Sequence, residues 1–260
     1  MGKVYVIISG KGGVGKTTSA INLGSVMNSL GKETIVVDGN ITTPNIGIHL
    51  GSPIVPITLN HVLNHKARVE EAIYEHESGV KILPASLSIS ELKKANPQRL
   101  PDIAKRLRKI SDYTIIDAAA GLGEETKIAV KSGDEIIVIA NPEMASVTDA
   151  LKAIKFAEQM KKEVCGCIIT RHTGEKYEMD ITTVKDMLEV PLLGVIPEDI
   201  AVKESQRAKN PVTHSHPKSK SAKAYDKIAR RLLGPQFMQE ESKKTQGLLK
   251  RLLKRTGLIE

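Results

Sequence analysis

Short apolar runs recur along the chain, each bounded by turn residues or a charge. Val4 to Ile8, Glu33 to Asp38, Val80 to Pro84, Tyr113 to Asp117, Asp134 to Ala140, Glu163 to Thr170 and Leu192 to Ile196 are rich in β-branched residues. Runs this short and continuous fit strands covered on both faces, as in a parallel sheet. Segments with helical spacing lie between them: Ser19 to Leu30, Leu100 to Ile110, Ser146 to Met160, Tyr177 to Leu188, a stretch from Asp199 to about Lys209, and Ser219 to Leu233. Shorter helices are expected over Thr58 to Asn64, over Val69 to Tyr74, and from Ser88, where Glu91 completes the spacing of a capping box. The alternation predicts one α/β domain, a mostly parallel twisted sheet with helices on both faces and ligand groups at the strand C-termini. Gly234-Pro235 ends the last of these helices. The domain is therefore expected over 1–234, a polar linker over 235–242 and a separate tail over 243–260.

The first strand runs directly into Ser9-Gly10-Lys11-Gly12-Gly13-Val14-Gly15-Lys16-Thr17-Thr18. Gly10, Gly15, Lys16 and Thr17 occupy the fixed positions of the phosphate loop G-x-x-x-x-G-K-[ST]. Glycines are needed because a loop that wraps phosphates must turn successive N–H groups inward through angles that a Cβ resists. Lys16 then reaches the β- and γ-phosphates and the Thr17 hydroxyl meets Mg²⁺, with the following helix presenting its N-terminus. Two more strands end in acids, Asp38 and Asp117, where a parallel sheet collects ligand groups. Asp117 closes a Walker B pattern and, with Thr17 and Asp38, makes the candidate metal set. ATP and Mg²⁺ are the expected ligands.

Lys11 makes the loop K-G-G-V-G-K-T-T, which resembles the deviant Walker A loop of the MinD/ParA group of P-loop ATPases. The resemblance spans almost the whole chain. It implies that Lys11 reaches the nucleotide of a second subunit, so that ATP binding and homodimerisation go together. It places switch I over Gly39 to Gly47 and switch II over Ala118 to Gly123, with the Gly121 N–H near the γ-phosphate. It further implies nucleotide-base contacts from Thr170 and Arg171 and from Pro197, Glu198 and Asp199, Asp199 also being placed to cap the next helix. Three positions depart from the family pattern. Asn40 stands where the family has the second Asp of D-x-D, Ala119 where it often has Pro, and Thr170 where it often has Asn. An Asn carbonyl can accept a hydrogen bond from the attacking water but cannot take its proton. With Lys11 and Lys16 at the reacting phosphates, the expectation at Asn40 is slow hydrolysis and a long-lived ATP state.

Composition narrows the partners. Aromatic residues are 3% of the chain and Trp is absent, which disfavours base stacking on exposed rings. The net charge of +8 is confined to the end: Lys218 to Glu260 holds twelve Lys/Arg against four Asp/Glu, while the first 217 residues balance. Specific nucleic-acid binding by the body is therefore not expected, and the C-terminal end is the surface for anionic partners. Within it, Leu248, Leu249, Leu252 and Leu253 share a helical face flanked by Lys250, Arg251, Lys254 and Arg255. This is the pattern of a helix lying in a membrane interface and resembles the C-terminal membrane-targeting helix of MinD proteins; a coiled-coil or docking helix has the same pattern. A strand that starts almost at the N-terminus leaves no room for a signal peptide. The chain is thus expected in the cytoplasm, reversibly on the inner membrane face, with a protein cargo or activator.

Cys165 and Cys167, two apart in a strand, are expected to point to one face as small apolar core thiols. An iron–sulfur carrier ATPase shares the phosphate loop, a DNA-partition ATPase shares the lysine pattern, and a nucleotide-gated scaffold with little hydrolysis suits Asn40. His61, His65 and His76 show no ligand spacing and read as surface histidines.

Overall fold

The computed structural model describes residues 1–238, so the tail helix expected over Lys243 to Arg255 lies outside the described residues. Eight strands form one sheet: β1 (Lys3–Ile8), β2 (Thr34–Gly39), β3 (Tyr74–Glu75), β4 (Lys81–Leu83), β5 (Tyr113–Ala118), β6 (Glu135–Ala140), β7 (Glu163–His172) and β8 (Leu192–Pro197). Their spatial order is β3-β4-β2-β5-β1-β6-β7-β8, and every pairing except β3–β4 is parallel. Strand alternation divides the core in two. Val4, Val6 and Ile8 of β1 pack on one face, Tyr5 and Ile7 on the other.

Helices α1 (Lys16–Ser29), α2 (Ile46–His49), α3 (Leu59–Leu63), α4 (Ile89–Leu92), α5 (Leu100–Ile110), α6 (Glu124–Ser132), α7 (Met144–Gln159), α8 (Ile181–Leu188), α9 (Ile200–Arg207), α10 (Val212–Ser215) and α11 (Lys220–Leu233) cover these faces. α3, α5, α6, α7 and α8 contribute buried side chains to the Val4 face, and α1, α2, α9, α10 and α11 to the Tyr5 face. Ser219 caps α11 through the Ala222 N–H. After α11 the chain turns at Gly234 and packs Phe237 on the Tyr5 face, with the Lys32 ammonium 5.4 Å from its ring centre. Lys32 follows the C-terminal end of α1, so Phe237 lies at the end of the body away from the phosphate loop.

Four expectations change. The helix expected over Val69 to Tyr74 is a single 3₁₀ turn, Val69–Ala72, after which Tyr74–Glu75 pairs back on β4 through the turn at Gly79. α6 was not legible, because it opens on Glu124-Glu125-Thr126-Lys127 and its largest apolar side chains, Ile128 and Val130, lie two residues apart. The Tyr177 to Leu188 helix starts at Ile181, capped by Asp180, and leaves Tyr177 exposed. Ser88 makes no capping bond; its hydroxyl meets Ser90, and Glu91 pairs with His61 instead.

The cysteines also correct the pattern. Ile136 pairs with Val164 but Ile137 pairs with Gly166, so Cys165 is an extra residue in a β-bulge. Gly166 takes φ 153°, and a Cβ there would fall 2.3 Å from the Pro191 carbonyl oxygen. The bulge breaks the two-residue alternation, and the thiols fall on opposite faces: Cys165 at the edge of the Tyr5 core, Cys167 within the Val4 core. Burial pushes both thiols up to about 12, so they are packing groups that cannot share one metal ion.

Candidate functional site

The phosphate loop joins β1 to α1 at the C-terminal edge of the sheet. Gly15 is the residue before α1 and has φ 95° and ψ 21°, a left-handed conformation that suits glycine and turns the loop over the helix N-terminus. Gly10 rests on α7: a Cβ there would lie 2.4 Å from the Asp149 carbonyl oxygen, so only glycine lets the loop sit this low. Lys16 is buried and donates to Ser9 Oγ at 3.0 Å, while Ser9 Oγ donates to the Lys11 carbonyl at 2.6 Å. Burial lowers the Lys16 pKa, and the Asp117 carboxylate acts against that shift.

Thr17 Oγ1 donates to Asp117 Oδ2 at 2.5 Å. Asp117 is fully buried, and its Oδ1 has no partner among the described residues. Burial pushes its carboxyl up to about 6, against the Thr17 bond and the Lys16 charge. Asp38 lies opposite Asp117 in the β2–β5 ladder and is equally buried, with a different role. Oδ1 accepts the Asn40 N–H at 3.3 Å, and Oδ2 accepts Asn45 N–H at 2.9 Å and Ile46 N–H at 3.0 Å. Burial, and then the neighbouring Asp117, push the Asp38 carboxyl up to about 8. Asp38, expected in the metal set with Thr17 and Asp117, here accepts three backbone N–H groups at the start of α2, whereas Asp117 Oδ1 has no partner among the described residues.

Two joined cavities run from the loop. The first, of about 410 Å³, is walled by the phosphate-loop glycines, Lys16, Thr17, Asn40 and His49. The second, of about 190 Å³, is walled by Thr170, Arg171, Pro197, Glu198 and Tyr225. Gly15, Thr18, Arg171 and Gln206 line both. Lys11 is exposed and lines neither cavity.

Several predicted contacts are engaged in the protein itself. Asn40 Nδ2 donates to the Thr43 carbonyl at 2.6 Å and Asn40 Oδ1 accepts from Thr43 Oγ1 at 3.0 Å, so the amide stitches switch I. The Gly121 N–H donates to the Ser9 carbonyl at 3.1 Å rather than into the cavity. Thr170 Oγ1 donates to the Val14 carbonyl at 2.6 Å, tying the tip of β7 to the phosphate loop. The Asp199 carboxylate caps two helices, accepting from Ala201 N–H, Ser221 N–H and Ser221 Oγ at 2.9–3.0 Å. Burial raises its pKa, but these donors outweigh burial and leave it lowered. Sequence reasoning missed Gln206, whose Nε2 donates to Thr18 Oγ1 at 3.1 Å, and His49; neither sits in a local motif. Switch I also touches α6, through Thr42 Oγ1 on Glu125.

A parallel sheet with a glycine-rich loop at its C-terminal edge, a buried lysine and a Thr–Asp pair defines a P-loop nucleoside triphosphatase. The family model described as ParA, NUBPL iron-transfer P-loop NTPase, matches residues 1–233. An uncharacterized ATP-binding protein of Methanocaldococcus jannaschii is 36% identical over 98% of this chain and 96% of its own length. The septum site-determining protein MinD of Bacillus subtilis is 31% identical over 94% of this chain and 95% of its own. The Pyrococcus horikoshii MinD, solved with Mg-ADP, superimposes with a TM-score of 0.85 at 35% identity, covering 89% of this chain and 96% of that one. The chain belongs to the MinD/ParA family of P-loop ATPases.

Proposed function

We propose that this protein binds ATP with Mg²⁺, dimerises over the nucleotide, hydrolyses it slowly, and uses that cycle to position division or polar machinery on the cytoplasmic membrane face. The observation that carries the nucleotide part is the buried, unpartnered Asp117 Oδ1 beside the Thr17 hydroxyl and Lys16. A buried carboxylate oxygen without a donor is costly, and a hard cation that keeps several waters answers it. Thr17 and Asp117 would hold Mg²⁺, which when bound neutralises charge on the phosphates. Lys16 exchanges Ser9 for phosphate oxygens. Thr18, oriented by Gln206, faces the same phosphates. Asn40 Oδ1 orients the attacking water only if it releases Thr43, and it takes no proton from that water. Slow turnover follows from both.

Lys11, exposed at the rim, is free to reach a second subunit. The relatives named for septum placement support the positioning role. No described helix is long and apolar enough to cross a membrane, so attachment falls to the amphipathic sequence from Lys243 to Arg255. Each Leu buried in the interface contributes about 1.5–3 kcal/mol, and each basic residue about 1 kcal/mol on an anionic leaflet. Ordering about ten residues costs on the order of 10–15 kcal/mol. One tail is marginal, and two on a dimer gain avidity.

The test is sedimentation of the full chain with anionic liposomes in ATP or ADP, beside a chain ending near Gly234, with the ATPase rate read in parallel. Cosedimentation only with ATP and only with the tail is expected. Equal binding in both nucleotides, or binding without the tail, overturns the membrane cycle; no nucleotide turnover in either overturns the ATPase.

A further inference from the structure

One titratable side chain on the phosphate-end cavity stands outside every motif. His49 ends α2 and lines the cavity with Lys16, Thr17, Thr18 and Arg171. Its ring makes no hydrogen bond among the described residues, although it is more than half buried. The backbone holds it there from both sides. Asp38 anchors the start of α2 through Asn45 and Ile46. Downstream, Gly51 turns at φ 70° against the end of α9, where a Cβ would lie 3.1 Å from Lys209 Cβ. A polar ring fixed on the wall of an anion-binding cavity, with no protein partner, has its ring nitrogens available to a ligand.

The charged groups by it are Lys209, just past the end of α9, and Lys16 and Arg171 on the cavity wall. Burial, and then Lys209, hold the imidazole below its usual range, so the ring is neutral at pH 7 in the nucleotide-free protein. A nucleotide brings several negative charges to this wall and reverses that balance.

Resting on the nucleotide reading above, we propose that His49 is a nucleotide-binding residue that meets the phosphates as an imidazolium, so that binding takes up a proton. Affinity then rises as pH falls toward the ring's nucleotide-free value, and levels off below it. Each unit by which the nucleotide raises the ring is worth about tenfold in affinity. The role differs from that of Asn40, whose side chain carries no charge.

The test is calorimetric titration of the full chain with Mg-ADP from pH 6 to 8, in two buffers of different protonation enthalpy, for wild type and His49→Gln. Wild type is expected to take up more protons than the variant, and its affinity to rise more steeply with falling pH. Asp38 and Asp117 remain in both proteins, so the difference isolates the ring. Where the variant does not fold, imidazole resonances of ¹⁵N-histidine wild type decide: one ring must titrate at higher pH with Mg-ADP than without. Equal proton uptake and equal pH slopes, or no nucleotide-dependent imidazole, overturn the role of His49 while leaving the ATPase standing. A wild-type protein that binds no Mg-ADP overturns both.

Discussion

Asp38 and Asp117 end adjacent strands, face each other across one ladder and are both sealed from solvent, yet their oxygens have different partners. Asp117 receives one hydroxyl on Oδ2 and keeps a buried Oδ1 without a partner among the described residues. Asp38 receives three backbone N–H groups and folds the loop that follows it. Residue type and strand position alone therefore do not fix what a buried carboxylate's oxygens meet. What separates the two is the chain after the strand: Asn40 to Ile46 returns its N–H groups to Asp38, whereas Ala118 to Gly123 leads away from Asp117 into α6.

The comparison can be broken in four ways. The largest effect belongs to Asp117→Asn, which keeps the shape and removes the charge at the open oxygen. Mg²⁺-dependent turnover should fall on the order of 10²-fold, with the denaturant midpoint of the nucleotide-free protein unchanged or higher. A variant with near-normal turnover removes Asp117 from the metal site.

Asp38→Ala leaves three backbone donors unpaired, that of Ile46 buried and those of Asn40 and Asn45 part-buried, and should cost about 3 kcal/mol in urea unfolding, together with faster proteolysis between 40 and 50. If stability holds while only turnover drops, Asp38 is a ligand after all.

The third test uses pH. Both carboxyls are raised above the ordinary value of 3.8, so the nucleotide-free native state holds protons that the unfolded chain releases. That stability is full below the ordinary value and is lost as pH rises through about 6 for Asp117 and about 8 for Asp38. Urea stability without nucleotide should therefore fall from pH 5 to pH 8, by on the order of 1 kcal/mol from Asp117 alone, since only the unit between pH 5 and about 6 lies in this interval. A midpoint that rises over this interval contradicts the burial of both groups.

The smallest effect is at Asn40. Asn40→Asp loses the donor to the Thr43 carbonyl and should cost about 1 kcal/mol, yet it supplies a group able to take a proton and should raise turnover several-fold. Unchanged or lower turnover in a steady-state assay would sink the account of slow hydrolysis.

Much of this was legible in the chain. The long helices and all the strands but β3 follow from apolar period and punctuation, and the phosphate loop follows from glycines at fixed spacing. In the site and at the bulge, what stayed hidden depends on contacts made over long sequence distances. Gln206 meets Thr18 across 188 positions and Thr170 meets Val14 across 156, and nothing local marks either. The bulge at Cys165 depends on the Pro191 carbonyl of the next strand, so the alternation rule misassigned one thiol's face. Asp199 was legible as the cap of α9 but not as the cap of α11, 22 residues on.

Phe237 leaves the body beside Lys32, a full α1 away from Lys16. Fourteen helical residues span roughly 20 Å. The phosphate loop and Phe237 thus lie at opposite ends of α1. In the proposed cycle a message between them would pass by census: the nucleotide would decide how many bodies stand together, and the far pole would register the number.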